Sequence, residues 1–329
     1  MVIVNWNQRD FLRACLASVA RQQGAEFETI VVDNGSLDGS AEMAEREFAV
    51  RVIRNAGNRG FCAANNQGIA AARGEFVALL NNDAEAEPGW LGALLRACTR
   101  SPEVGMAASK VLVWEDPRRI DKAGHLIYPD GQNKGRGSGA LDTGQYDREE
   151  EVLWPDGCAA LYRKRMLDGI GGFDEDFFAY GDDAELGLRA RIAGWRCLYT
   201  PEAVVRHHRS STLGKDSAWR LELIERNRLL LAFKLFPWSL LWLNPFYFAA
   251  RVLAGYGAAR RGAGDTAYFP GARGKWRMAL AFVKGDLGAL RLAPRMFRKR
   301  RDVARLRRLP PGEVRRLILS HRLSLKETT

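Results

Sequence analysis

Glu75-Phe-Val-Ala-Leu-Leu-Asn-Asn-Asp83 sets a wholly apolar run against two amides and a carboxylate. Phe76 to Leu80 offers no polar side to water, which fits a strand buried on both faces of a parallel sheet. In an open α/β sheet, ligands collect beyond the carboxyl ends of the strands. Asn81, Asn82 and Asp83 stand at that position. Oxygen donors of this kind suit Mg²⁺ or Mn²⁺ bridging phosphates. The same residue types also make ordinary turns, so the stretch by itself fits either reading.

Outward from this strand the pattern repeats. Val2-Ile-Val4, Thr29-Ile-Val-Val32 and Arg51-Val-Ile53 read as three further strands. Between them, Leu12, Cys15, Leu16 and Val19 recur at helical spacing behind Asp10, a candidate cap. Residues 38–48 are helix-forming, and 61–73 read as a small-residue helix stopped by Gly74. Beyond the central strand, Pro88 suits a first helical position, with Leu91, Leu94, Leu95 and Cys98 on one stripe. Alternation of strands and helices predicts a doubly wound parallel sheet. Val104 to Val113 adds a strand, and Cys158 to Tyr162 reads as an antiparallel one. Residues 114–151 are charged, Gly-rich and aperiodic, which suits a substrate loop or lid, or disordered chain. A helix is expected from Asp182 to about Ala193, with Ala184, Leu188 and Ile192 on one face and Gly194 as its stop. Cys197 to Tyr199 and Ala203 to Val205 are short apolar runs, the second leading into His207-His208.

The chain has 329 residues, 47% of them apolar, and a net charge of +11. That length suits one large domain or two smaller ones. A basic surplus suits nucleic acid, an anionic membrane or phosphorylated substrates. No nucleic-acid reader motif is present, so a nucleic-acid partner is not expected. Five scattered cysteines show no metal or disulfide spacing and fit a reducing cytoplasm. Val2 follows Met1 as strand-like sequence, which leaves no room for a signal peptide. Composition shifts near Lys215, predicting a 1–215 catalytic domain and a 216–329 helical, amphipathic and basic region. Residues 229–259 are rich in Leu, Phe, Trp and Tyr but broken by Lys234, Pro237, Asn244, Pro245 and Arg251, so no run of about 18 apolar residues spans a membrane. Beside the basic stretches 294–301 and 305–308, this composition resembles elements that lie in a membrane interface. A helical subdomain packed on the catalytic one is the alternative.

Polar residues stand just after the strand ends: Asn5, Asp33, Asp83, and Asp182 with Asp183. The turn after the first strand is Asn5-Trp-Asn-Gln-Arg-Asp10, without the glycines of a dinucleotide fold. No Gly-Lys-Ser/Thr phosphate loop occurs either. An acid after the second strand can bind a base or ribose. Carboxylates beyond two other elements can hold a metal on a diphosphate and remove a proton. Such a set suits group transfer from an activated nucleotide donor to a hydroxyl.

Val31-Val-Asp-Asn-Gly-Ser36, Asn58-Arg-Gly-Phe61 with Asn65-Asn-Gln-Gly68, Leu79-Leu-Asn-Asn-Asp83 with Pro88-Gly-Trp-Leu91, and Gly171-Gly-Phe-Asp174 with Tyr180-Gly-Asp-Asp183 occur in that order. Over residues 2–212 this resembles a family 2 glycosyltransferase, nearest the bacterial rhamnosyltransferase-like branch. Arg226-Asn-Arg-Leu229 and the basic tail resemble that branch's C-terminal extension. The resemblance implies a GT-A fold, a Rossmann-like mixed sheet flanked by helices, with a helical C-terminal extension of membrane-associated type. It implies a hexosyl or rhamnosyl transferase taking a nucleotide-diphosphate sugar donor and a lipid-linked or cell-surface glycan acceptor, with a divalent metal, Mg²⁺ or Mn²⁺. The place implied is the cytoplasm, peripheral on the inner face of the cell membrane. By position, Asp33 binds the uracil or thymine base and ribose, and Asn5, Asn58, Asn65, Asn81 and Asn82 line the nucleotide-sugar site. Asn81 and Asp83 stand in the Asp-x-Asp metal motif, with Asn first, so Asp83 is the main ligand. His207 matches a histidine that completes the metal site in some relatives, with His208 adjacent. Asp183 is the implied general base, and Asp182 stands where most relatives have Glu.

The roles are chemically coherent. A divalent ion offsets charge building on the β-phosphate, and Arg59 and Arg209 are candidates to help. A carboxylate opposite the leaving group takes the acceptor's proton, and attack from that face inverts the anomeric centre. Asp183 at a helix N-terminus should be favoured as the anion, whereas Asp182 and Glu185 oppose that. Other classes also fit parts of the chain: a sugar-nucleotide nucleotidyltransferase, or a degenerate, non-catalytic membrane-bound homologue, motivated by Asn81. Trp90 reads as core rather than as a sugar platform. Trp154 or Trp195 could stack on a sugar.

Overall fold

The computed structural model describes residues 1–209, 217–260, 269 and 271–328. The strands are β1 (Val2–Asn5), β2 (Ile30–Asp33), β3 (Arg51–Arg54), β4 (Phe76–Leu80), β5 (Ala84–Ala86), β6 (Val104–Val113), β7 (Ile120–Lys122), β8 (His125–Ile127), β9 (Asn133–Gly135), β10 (Glu150–Glu151), β11 (Ala159–Arg163) and β12 (Arg196–His207). The main sheet runs β10-β12-β6-β11-β4-β1-β2-β3, with β5 on β12 and β7 on β6. Its β1, β2, β3 and β4 pairings are parallel, as alternation with helices requires. The sheet as a whole is mixed, because β11 inserts antiparallel between β4 and β6. The apolar strands β2 and β4 are buried along almost their whole length, whereas β3, at the sheet edge, keeps both arginines exposed.

Helices α1 (Arg9–Val19), α2 (Ser40–Glu47), α3 (Phe61–Ala71), α4 (Trp90–Thr99), α5 (Lys164–Ile170) and α6 (Asp182–Ile192) flank this sheet. Leu12, Cys15, Leu16 and Val19 of α1 join Trp90, Leu91 and Leu94 of α4 in one core with the strands. Asp10 is not a cap: Gln8 occupies that position, and Asp10 pairs with Arg13 at 3.0 Å. Trp90 is core, its indole N–H donating to Ser109 Oγ at 2.8 Å.

Register positions the functional residues. Asn5 pairs with Asp33 at the carboxyl ends of β1 and β2. Ala84 pairs with His207, which brings Asp83 beside the end of β12. The two apolar runs expected before His207 are one twelve-residue strand with an irregularity between Thr200 and Val204. Pro201 sits in that interval and has no N–H to give a ladder. Residues 114–151, expected to be a loop, lid or disordered chain, carry β7 to β10.

Two compact units emerge, one comprising residues 1–125 and 135–209, the other 126–134 and the chain beyond Arg209. The boundary expected at 215/216 lies outside the described residues. The second unit contains α7 (Ala218–Leu235), α8 (Trp238–Leu241), α9 (Asn244–Arg260), α10 (Gly271–Leu306) and α11 (Pro311–Ser320). Ala281, Gly285 and Ala289 make the buried face of α10. A Cβ on Gly285 would lie 2.6 Å from the Glu222 carbonyl oxygen, so only glycine allows α10 this close to α7. The interior also holds charge. Arg251 reaches Asp130 at 2.6 Å and Glu225 at 2.8 Å, while Arg228 reaches Glu225 at 2.9 Å and Asp286 at 3.1 Å. Among the described residues, no helix is long and apolar enough to cross a membrane.

Candidate active site

At the ends of β1 and β2, the Asn5 amide donates to Asp33 Oδ1 and Ser36 Oγ, each at 3.2 Å. Asp33 Oδ2 accepts from the Ser36 backbone N–H at 3.0 Å. Asn82 donates to Asn5 Oδ1 at 2.7 Å, so three of the expected nucleotide-site residues form one hydrogen-bonded set. Asn81 shapes the turn between β4 and β5: its N–H donates to Cys158 O at 2.8 Å and its carbonyl accepts from Ala84 N at 3.1 Å. Two others do scaffold work. Asn58 Oδ1 accepts from Asn34 and from Gly60 N, holding the loop before α3. Asn65 is buried in α3 and donates to Phe61 O at 2.9 Å.

Asp83 and His207 come together, with His207 Nε2 3.3 Å from Asp83 Oδ1. His207 Nδ1 lies 2.8 Å from Asp121 Oδ2, a contact that orients the ring and aims Nε2 at Asp83. Burial opposes charge on His207, but its bonds to Asp121 and Asp83 prevail and hold its pKa at about 9. His208 turns elsewhere: its Nε2 lies 3.2 Å from Glu85, and its ring stacks on Trp114. Arg209 reaches Asp121 Oδ1 at 3.2 Å.

Asp182 and Asp183 open α6 behind a tight turn in which Phe178, Tyr180 and Gly181 all have positive φ. Phe178 fits there because Gly60 has no side chain; a Cβ would lie 2.5 Å from its ring. Asp183 Oδ1 accepts from Ala184 N at 2.8 Å, and Oδ2 faces Gly157 N at 3.4 Å and His125 Nε2 at 3.5 Å. Burial pushes the Asp183 carboxyl above its ordinary range, with His125 and Lys122 pulling it back and Asp156 adding to the rise. Asp182 is pushed well above that range by deep burial and by Asp183. The helix-end preference for an ionised Asp183 is therefore outweighed by burial.

The two acidic centres are linked. From His207 the path runs through Asp121 to Lys122, 4.0 Å away, then 2.7 Å to Asp156 Oδ2, 2.8 Å to His125 Nε2, and on to Asp183. Lys122, His125 and Asp156 escaped the sequence reading. Lys122 and His125 lie in the aperiodic stretch and Asp156 just beyond it, and the available cue was titratable side chains among apolar neighbours such as Ile120, Ala123, Trp154 and Cys158. Trp154 is fully buried and stacks on His125 at 6.0 Å, so it is no sugar platform. Trp195 is half-buried, with Arg165 over its ring at 5.3 Å.

The sequence profile described as Glycosyl transferase family 2 matches residues 1–171, and that described as Glycosyl transferase family group 2 matches residues 140–281. The chain belongs to glycosyltransferase family 2. Among relatives of this glycosyltransferase is an N-acetylglucosaminyl-diphospho-decaprenol L-rhamnosyltransferase of Mycobacterium tuberculosis, 28% identical over 243 residues, covering 67% of this chain and 79% of the relative. The similarity places the chain in the rhamnosyltransferase-like branch. Its fold is GT-A. A mannosyltransferase from Pyrobaculum calidifontis, solved with GDP-Man and Mn²⁺, superposes with a TM-score of 0.53 at 18% identity, covering 88% of this chain and 86% of that one. GalNAc-T7, solved with UDP, GalNAc and Mn²⁺, superposes with a TM-score of 0.61 at 15% identity, covering 88% and 56%.

Among the described residues of this glycosyltransferase, two places offer metal-type donors. His125, Asp156 and Asp183 present ligand atoms within 4.8 Å of one another. There, the Lys122 ammonium already contacts Asp156, and a second cation would be repelled. At Asp83 and His207, an imidazole nitrogen is aimed at a buried carboxylate by another carboxylate behind it, and both residues offer donor atoms of a type divalent ions take.

Proposed function

We propose that this enzyme is an inverting, metal-dependent glycosyltransferase moving a sugar from a nucleotide-diphosphate donor to a hydroxyl of a lipid-linked or cell-surface glycan precursor. The observation that carries the reading is the polar path from Asp83–His207 to Asp183. Asn5, Asp33 and Asn82 bind the nucleoside end of the donor. Asp83 and His207 hold Mg²⁺ or Mn²⁺, which when bound offsets charge on the departing diphosphate. Asp183 takes the acceptor's proton as its oxygen attacks the anomeric carbon from the face opposite the leaving group. One displacement needs one base and no covalent nucleophile, in keeping with five buried cysteines. A panel of uridine- and thymidine-diphosphate sugars with Mn²⁺ should yield nucleoside diphosphate and a product of inverted anomeric configuration. Pyrophosphate formed from nucleoside triphosphate and sugar phosphate would instead indicate a nucleotidyltransferase.

Metal binding should depend on pH. A protonated His207 cannot ligate, and without metal it keeps its proton up to about pH 9. Mn²⁺ affinity is therefore expected to rise with pH through the neutral range, by up to about tenfold per unit. His207→Ala should flatten that slope. The same proton stabilises the metal-free fold: the contribution is complete below the ordinary value of 6.5 and lost as pH rises through about 9. Calorimetric titration across pH checks this, and an affinity independent of pH would remove His207 from the site.

The second unit supplies a surface for an anionic membrane. On α10, Trp276, Leu280, Val283, Leu287 and Leu290 follow one another at steps of four and three residues and are all exposed. On α9 and just before it, Trp242, Phe246 and Leu253 are 76, 73 and 71% exposed. Exposed arginines and lysines, including Arg273, Lys275, Arg277, Lys284 and Arg291, border the α10 stripe. Two copies paired through this stripe would juxtapose like charges, whereas anionic headgroups complement them. The protein is expected to co-sediment with phosphatidylglycerol vesicles at low salt and less so at high salt. The double variant Leu280→Glu/Leu287→Glu should stay in the supernatant while still transferring to a water-soluble acceptor analogue. Equal sedimentation of that variant would leave the stripe without a lipid role.

A further inference from the structure

We propose that His125 is a positioning residue: anchored by Asp156 and Lys122, its imidazole holds the Asp183 carboxylate in the orientation that receives the acceptor's proton. The inference rests on Asp183 being the base. Its starting point is an Asp156 carboxylate with both oxygens in use. Oδ1 accepts from Cys158 N at 2.8 Å, and Oδ2 meets Lys122 Nζ at 2.7 Å and His125 Nε2 at 2.8 Å. Burial works against its charge, yet Lys122 and His125 hold Asp156 well below the usual carboxylate range. It is thus a fixed anion rather than a second base, and it fixes the imidazole.

The ring plane is set independently. His125 stacks on Trp154 with 26° between planes. Trp154 is in turn pressed against α6, the helix carrying Asp183: a Cβ on Gly187 would lie 2.2 Å from Trp154 Cβ. His125 is therefore located relative to Asp183 by packing on one side and by Asp156 on the other. From there Nε2 faces Asp183 Oδ2, which also faces the N–H of Gly157, the residue after Asp156. His125 Nδ1 is buried without a hydrogen-bond partner, so Nε2 carries the proton, donating it to Asp156 Oδ2 at 2.8 Å with Asp183 Oδ2 alongside at 3.5 Å. The titratable groups around Asp183 are Asp182 on its own helix, Asp156, Lys122 and His125 facing it, and Tyr162 of β11.

The test uses the full chain with a donor that the wild type accepts. His125→Ala and Asp156→Asn should lower kcat by roughly 10- to 100-fold with donor KM nearly unchanged, the loss expected of a misaligned base. The acid limb of the pH profile should move in opposite directions. It moves to higher pH for His125→Ala, which removes a group that favours the Asp183 anion. It moves to lower pH for Asp156→Asn, which removes a neighbouring negative charge. His125→Gln keeps an N–H donor, should recover part of kcat, and serves if the alanine variant does not fold. A purely structural role would lower thermal stability and leave the limb in place, overturning the proposal. Should Asp183→Asn itself turn over normally, the base assignment fails first; an inactive Asp183→Asn beside an unmoved His125 limb overturns the positioning role alone.

Discussion

Asp183→Asn is expected to lower kcat by about 10²- to 10⁴-fold, the range for loss of a general base, while donor affinity stays within a few-fold of wild type. The amide keeps the size of the side chain, and its carbonyl oxygen can still accept from Gly157 or Ala184, so the site should keep its shape. What disappears is the capacity to take a proton. Asp182→Asn should cost far less. Asp182 is the more deeply buried of the two, and burial with Asp183 beside it disfavours its charged form, so an amide there replaces a less favoured charge. Because burial raises Asp183 too, activity is expected to fall on acidification at a pH above that of an ordinary carboxyl group. Single-turnover kinetics with saturating donor separate these effects. Normal turnover by Asp183→Asn would remove it from the mechanism.

The second large effect belongs to stability. Arg251→Met should destabilise the second unit by about 3–5 kcal/mol, because it leaves the buried Asp130 and Glu225 with Arg228 as the one guanidinium between them. That is a sizeable part of the roughly 5–15 kcal/mol holding a typical domain together. Arg228 already serves Glu225 and Asp286, so it cannot fully replace the lost guanidinium. Burial disfavours ionised Glu225, but Arg251 and Arg228 hold its pKa below the ordinary 4.5. Its contribution is thus present above that value and lost as pH falls through the depressed one. Urea unfolding followed by the tryptophans of the second unit measures both effects. A change below about 1 kcal/mol would mean that the cluster is solvated in solution.

The readable parts of the sequence were those with local signatures. Val2 to Val4, Thr29 to Val32 and Phe76 to Leu80 are apolar because both faces of those strands are covered, and polar residues could stand only at their ends. Asn5, Asp33, Asn82 and Asp83 were singled out for that reason, whereas Asp183, which opens α6 and follows no strand, was singled out by its motif. Asn58 and Asn65 looked alike in sequence, yet hydrogen bonds to the loop and the helix backbone occupy them. Lys122, His125 and Asp156 were not legible, because their meaning lies in contacts across more than thirty residues, and short strands such as β7 carry too few side chains to show a period. The union of 126–134 with the C-terminal helices was equally hidden. It depends on Asp130 meeting Arg251, a pairing between distant segments.

The two neighbouring side chains of β7 have separate employers. Asp121 aims His207 at Asp83, and Lys122 secures Asp156. Deleting or inserting one residue just before this short strand would change which residues reach His207 and Asp156, disabling both centres in a single step. Efforts to retarget the enzyme by grafting foreign loops should therefore leave 120–122 untouched and place their junctions further along the chain.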